Sequence, residues 1–173
     1  MSYVRKIIGH GDKRLHKKSR PCSKRDLRKP LFQQLVADMV ATLQESGGVG
    51  LSAVQVGDLR RVCVMKLPDM SDALVFINPT IQPTEAAKQE WLPEGCLSRK
   101  GYEVDMLRWT ELAVSSKNAA GQKILVIVRG VLAQCIQHEL DHFEGVLVGE
   151  RSGQSRKPRL TDAEGRPRIW LAS

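Results

Sequence analysis

Val131-Leu132-Ala133-Gln134-Cys135-Ile136-Gln137-His138-Glu139-Leu140-Asp141-His142-Phe143 is the stretch on which the organisation of this chain turns. It follows Gly130, precedes Gly145 and has no internal glycine or proline, and its apolar positions recur at helical spacing, which predicts a helix from about Val131 to Phe143. Val131, Cys135, His138 and His142 share one face, and Leu132, Ile136 and Phe143 widen the apolar stripe, so the helix should be largely enclosed. Side chains four apart on a helix lie over one another. Both imidazoles can therefore reach one metal ion while Glu139 addresses a water on it. A buried polar group without a partner costs about 1–3 kcal/mol, and a metal supplies partners for both histidines.

A catalytic centre of this type needs a third protein ligand and an open fourth position. Cys96 is the candidate: it lies in Pro93-Glu94-Gly95-Cys96-Leu97-Ser98, among turn formers, and a thiolate presented from such a loop binds Zn(II) or Fe(II) strongly. Cys96 as a nucleophile activated by His138 is the competing reading; it leaves His142 and Glu139 without a task. A further segment, Gly48-Val49-Gly50-Leu51-Ser52-Ala53-Val54-Gln55, offers glycines for close backbone approach and, in Gln55, an amide N–H able to face a developing oxyanion.

Elsewhere, Phe32, Leu35, Val36, Met39, Val40 and Leu43 fall at helical spacing between Pro30 and Gly47-Gly48, predicting an amphipathic helix over 31–46 whose stripe is core material. Short apolar runs then follow: Arg61 to Leu67, Leu74 to Ile77, Glu103 to Leu107, Glu111 to Ser116 and Lys123 to Arg129. They are separated by Asn78-Pro79, Pro83-Thr84 and Asn118-Ala119-Ala120-Gly121, and read as antiparallel strands divided by turns.

The 173 residues suit one domain over 1–173, with 151–173 as a basic peripheral tail that Ile169, Trp170 and Leu171 could tie down. With 42% hydrophobic and 27% charged residues the composition is globular, and no apolar run approaches the roughly 20 residues of a membrane helix. The N-terminus shows no apolar signal core, so a cytoplasmic protein is expected. The four cysteines Cys22, Cys63, Cys96 and Cys135 are widely spaced and need no disulfide. A net charge of +8, concentrated in Lys13 to Arg28 and Arg151 to Arg168, suits electrostatic docking, while 5% aromatic residues leave little for base stacking.

In order, GVGLSAVQ (48–55), EGCLS (94–98) and QHELDH (137–142) resemble the three signatures of the peptide deformylase family, G-x-G-L-A-A-x-Q, E-G-C-L-S and Q-H-E-x-D-H. Gly11-Asp12 with Leu15, Gln55-Val56-Gly57, Ile77-Asn78-Pro79 and Gly145-Val146-Leu147 extend the likeness over about residues 5–150. The resemblance implies an α+β fold with antiparallel β-sheets wrapped around a central metal-bearing helix. It implies a metallo-amidohydrolase that removes the formyl group from N-formylmethionyl nascent polypeptides and releases formate. By motif position the metal ligands would be Cys96, His138 and His142, with water in the fourth site. Glu139 would be the general base and acid, and Gln55 with the backbone N–H of Leu97 would stabilise the oxyanion. Val49, Gly50 and Gly95 would bind peptide through main-chain groups, and Val131 and Cys135 would line the methionine pocket.

Fe(II) is the metal the resemblance favours, and Zn(II), Ni(II) and Co(II) also suit two histidines and a cysteine. The partners implied are an N-formylmethionyl peptide and, through the basic ends, a ribosome surface, with no membrane and no sequence-specific nucleic acid. Three departures stand out. Ser52 replaces the usual alanine; Ser98-Arg99-Lys100-Gly101-Tyr102-Glu103 lacks the proline two positions after the serine; and Glu103 stands where some bacterial members carry a substrate-binding arginine. Arg108 fits the later family arginine. The centre thus reads as intact with an altered substrate rim, and two alternatives stay open: a catalytically silent protein that binds peptide or ribosome, or a hydrolase of another N-formyl substrate.

Overall fold

The computed structural model describes residues 2–151, 153–156 and 159–160; the expected tie-down at Ile169, Trp170 and Leu171 lies outside the described residues. Helix α1 (Lys24–Leu27) is short, and α2 (Pro30–Ser46) is the predicted amphipathic helix, opened by a proline in its first turn and closed by Gly47 at φ 68°. A five-stranded sheet is built from β1 (Gly50–Ser52), β2 (Val62–Met65), β3 (Leu74–Pro83), β6 (Glu111–Lys117) and β7 (Lys123–Arg129), in the order β1-β2-β3-β6-β7. A second sheet holds β4 (Gln89–Cys96), β5 (Arg99–Trp109) and β8 (Arg159–Leu160), in the order β4-β5-β8. The pairings in both sheets are antiparallel, and α3 (Gly130–Phe143) is the predicted second helix.

Strand β2 shows how the layers are arranged. All four of its residues are buried, because its two faces are covered by different helices. Val62 and Val64 join Phe32, Leu35, Met39 and Leu43 of α2 in one core, while Cys63 and Met65 join Ala133, Ile136 and Phe143 of α3 in another. Successive side chains on a strand point to opposite faces, so this apolar run records a strand sandwiched between helices. The second sheet meets α3 on its polar flank. There Gln137 clamps the β5 backbone, its Oε1 accepting from Trp109 N at 3.0 Å and its Nε2 donating to Trp109 O at 2.9 Å, while Gln134 donates to the carbonyl of Pro93 in β4 at 2.8 Å. Helix α3 is therefore central, with a sheet on either side.

Two expectations of turns are corrected. Asn78-Pro79 does not end a strand, because β3 continues to Pro83 through a register shift between Ile77 and Thr80. Asn78 takes φ 52° there and uses its side-chain amide in place of the ladder, accepting from Cys22 N at 2.7 Å and donating to Cys22 O at 2.8 Å; the bulge tolerates Pro79, which has no N–H to pair. Likewise Pro93 to Cys96 is strand rather than turn, since β4 is an edge strand where a proline forfeits no ladder bond. Only Leu97 and Ser98 separate β4 from β5.

Asp38 of α2, 3% exposed, anchors the N-terminal segment. It accepts from Tyr3 N at 2.8 Å, Arg5 Nε at 2.9 Å and Gln34 Nε2 at 2.7 Å. Burial pushes its carboxyl up, but these donors outweigh burial and hold it below its ordinary 3.8. Asp38→Ala is expected to cost about 1–3 kcal/mol by urea denaturation at pH 7. A depressed carboxylate contributes fully above its unfolded pKa and loses that contribution as pH falls through the folded value, so the gap between wild type and variant should close below about pH 4. A gap that persisted at pH 2 would assign the effect to packing instead.

Candidate active site

Helix α3 delivers His138, Glu139 and His142 to the interior, at 8%, 2% and 0% exposure. The end of β4 brings Cys96 to meet them: its Sγ lies 3.3 Å from His142 Nε2, and one donor atom each from Cys96, His138 and His142 falls within 4.8 Å of the others. Metal–sulfur and metal–nitrogen bonds of about 2.3 and 2.0 Å at a tetrahedral centre place S and N about 3.5 Å apart, so the Cys96–His142 spacing matches two ligands of one ion. None of the four cysteines is in a disulfide. The Nδ1 of His138 sits 2.7 Å from Glu94 Oε1, an arrangement that fixes the proton on Nδ1 and turns Nε2 toward the cluster. At this site Glu139 Oε2 and His142 Nδ1 are buried and have no hydrogen-bond partner among the described residues.

Electrostatics agree with the donor set. Burial, reinforced by His138, pulls His142 well below the usual histidine range and keeps it in the neutral form that ligates. For His138 burial pulls down, but Cys96 and Glu94 outweigh it and hold the imidazole's pKa well above the usual histidine range; a metal would take that proton's place. Burial pushes Glu139 up against the opposing influence of His138, the direction required of a carboxylate that both takes and returns a proton near neutrality.

Beneath the centre lies a buried ionic network. Arg108, 3% exposed, donates from Nε and Nη2 to Glu94 at 2.9 and 2.6 Å and from Nη1 to Asp141 at 2.8 Å. Arg151 closes the chain by donating to Asp141 from Nε at 2.7 Å and also from Nη2. Burial alone would raise Glu94, yet hydrogen bonds from His138 and Arg108 hold it down to about 2, so it remains an anion against His138. Arg108, matched in sequence to the family's later arginine, is thus an interior group that braces Glu94. Sequence reading assigned no role to Glu94, Asp141 or Ser98. A signal existed for the first two: Val104, Met106 and Arg108 alternate along β5 and are all buried, and an inward guanidinium demands buried counterions.

The centre opens into a cavity of about 420 Å³ whose wall includes Val49, Gly50, Gln55, Gly95, Cys96, Leu97, Val131, Cys135, His138 and Glu139. Each residue given a catalytic, ligating or peptide-binding role from the sequence therefore lies on one surface except His142, which is buried beneath it. Gln55 Nε2 is 3.2 Å from Ser98 Oγ and 3.6 Å from Cys96 Sγ, and its Oε1 accepts from Ser52 N at 2.8 Å. The Ser52 hydroxyl donates to the Glu139 carbonyl at 3.2 Å, so this departure from the family pattern ties the first motif to α3. Gly50 packs tightly: a Cβ there would lie 2.5 Å from Glu139 Oε1 and overlap Cys135 Sγ. Val131 stands at the rim, 53% exposed. Burial pushes the Cys135 thiol well up, making it cavity wall rather than a nucleophile.

Comparison with known proteins bears on this arrangement. The family model described as polypeptide deformylase matches residues 4–158. A peptide deformylase of Neisseria meningitidis is 39% identical over 155 residues, covering 89% of this chain and 90% of the relative. Among solved structures, a peptide deformylase from Legionella pneumophila superposes with a TM-score of 0.77 at 33% identity, covering 87% of each chain. A class I type b peptide deformylase from Acinetobacter baumannii with Met-Ala-Ser bound gives 0.79 at 30% identity, covering 87% of this chain and 99% of that one.

Proposed function

The chain belongs to the polypeptide deformylase family, and from that premise we propose that it hydrolyses the N-formyl group of N-formylmethionyl nascent polypeptides, releasing formate and a free amino terminus. One observation carries the reading. The three motifs, far apart in sequence, meet on a single cavity with Cys96, His138 and His142 converging and Glu139 Oε2 buried without a partner among the described residues.

Cys96, His138 and His142 would hold one divalent metal, with Fe(II) as the native ion. When bound, such an ion polarises a carbonyl and makes water a nucleophile at neutral pH. Glu139 takes the proton of the attacking water and returns it to the leaving nitrogen. Gln55 Nε2 and the Leu97 N–H face the formyl oxygen as charge develops on it and its carbon becomes tetrahedral; one such donor is worth about 2.7–4 kcal/mol in the transition state. Main-chain groups of Val49, Gly50 and Gly95 align the peptide, with Val131 and Cys135 against the methionine side chain. The bound Met-Ala-Ser of the Acinetobacter baumannii relative is a methionyl peptide of the kind such a reaction leaves behind. We read residues 1–173 as one catalytic unit acting in the cytoplasm, its basic segments giving electrostatic contact with ribosomes. Among the described residues no helix is long and apolar enough to cross a membrane.

Protein loaded anaerobically with Fe(II) should release formate from formyl-Met-Ala-Ser, lose that activity on chelation and regain it when metal is restored. Loaded protein that bound the peptide yet released no formate would replace this proposal with a silent peptide-binding role.

A further inference from the structure

The altered rim has a defined geometry. Cys96 pairs with Arg99 and Gly95 with Glu103, so one step along β4 spans four along β5, and Lys100, Gly101 and Tyr102 have no partner on β4. Gly101 at φ 75° supplies the left-handed kink of this bulge. Its neighbours are committed. The guanidinium of Arg99 lies 3.5 Å over the Tyr102 ring and donates to Val148 O at 3.3 Å, and Tyr102 packs its hydroxyl against Gly149. Lys100 alone of the three is among the residues that line the catalytic cavity. It is exposed, and it makes no ion pair among the described residues. Of the acidic groups on that wall, Glu94 is compensated by Arg108 and His138, and Glu139 lies at the floor. Lys100 is the one lysine or arginine among the described residues that line this cavity, so a substrate side chain seated there meets its positive charge.

We propose that Lys100 is a specificity-determining residue: it favours formylmethionyl peptides that carry Asp or Glu in the two positions after the methionine. The proposal rests on the deformylase reading and assigns it a substrate class. An exposed pair of this kind is worth a factor of about two to five, screened by salt.

The test uses Fe(II)-loaded protein and amidated peptides formyl-Met-X-Ala and formyl-Met-Ala-X, with X as Glu, Gln or Lys. Wild type should show kcat/KM two- to fivefold higher for Glu than for Gln at low ionic strength in at least one series, fading by about 0.5 M NaCl, with Lys poorest. In Lys100→Ala the Glu:Gln ratio should fall to about one, and in Lys100→Glu the order should invert in favour of Lys. Lys24→Ala, a charge removal on α1, should retain the wild-type ratio, which separates a local effect from net charge. Inhibition by the unformylated Met-Glu-Ala and Met-Gln-Ala amides should follow the same ratios. A wild-type ratio of one, or a ratio that survives in Lys100→Ala, overturns the assignment to Lys100. Absence of formate from every peptide instead removes the deformylase reading, and this proposal with it.

Discussion

Replacing Glu139 with alanine is expected to lower formate release from a formylmethionyl peptide by about 10²–10⁴-fold while metal content stays near that of wild type. Glu139 is not one of the converging donors; its carboxylate stands beside them, 2% exposed, with Oε2 unpartnered and Oε1 3.9 Å from Cys135 Sγ. On the proposed mechanism, removing it takes away the group that would accept and return the proton and leaves the candidate ligands in place. Glu139→Gln keeps the shape and the polar contacts but cannot transfer the proton, so it should fall as far as alanine. Steady-state kinetics with metal analysis of each variant decides the matter. A glutamine variant with near wild-type kcat would remove Glu139 from proton transfer, and loss of metal in either variant would make it a ligand or a support for one.

The largest effect on stability is expected from Arg108→Ala. The guanidinium is held in the interior by Glu94 and Asp141, themselves 6% and 4% exposed. Its removal takes from two buried carboxylates their shared counterion, leaving Glu94 only His138 and Asp141 only Arg151 as charged partners among the described residues, and breaking a buried pair from one side costs about 3–5 kcal/mol. At about 2–4 °C per kcal/mol for a chain of this size, the melting temperature should drop by roughly 6–20 °C. Glu94 would also cease to be pinned against His138, and losing such an outer partner typically weakens metal binding by about 10–100-fold. Arg108→Lys should recover only part of both losses, since an ammonium cannot reproduce the fork. Arg151 sits at the half-exposed end of the same network, so Arg151→Ala should cost far less. If the two alanine variants melted together, Arg108 would not be the keystone assigned to it.

Much of this was legible in the chain. Helices α2 and α3 show their periodicity, and their ends are set by Pro30, Gly47 and Gly130, where local backbone chemistry needs no tertiary partner. The pairing of His138 with His142 follows from the pitch of a helix, and Cys96 and Gln55 from motif chemistry. What escaped was non-local. Asn78-Pro79 reads as a turn because its hydrogen bonds go to Cys22, 56 residues earlier, and Pro93 reads as a turn because only the sheet order makes β4 an edge. Glu94 lay in plain view within a motif, but its task depends on an arginine inward on β5 and a histidine on α3.

Contiguous residues were enough to single out the candidate ligands, the carboxylate proposed for proton transfer and the helix that carries three of these groups, because i to i+4 geometry and local capping are properties of one segment. Which charges brace His138, which residues share the cavity wall, and that the bulge at Lys100 to Tyr102 puts Lys100 on that wall were settled only by the fold. Those outcomes depend on strand register and burial, which are set by the packing of two sheets about α3 and are not written in any single segment.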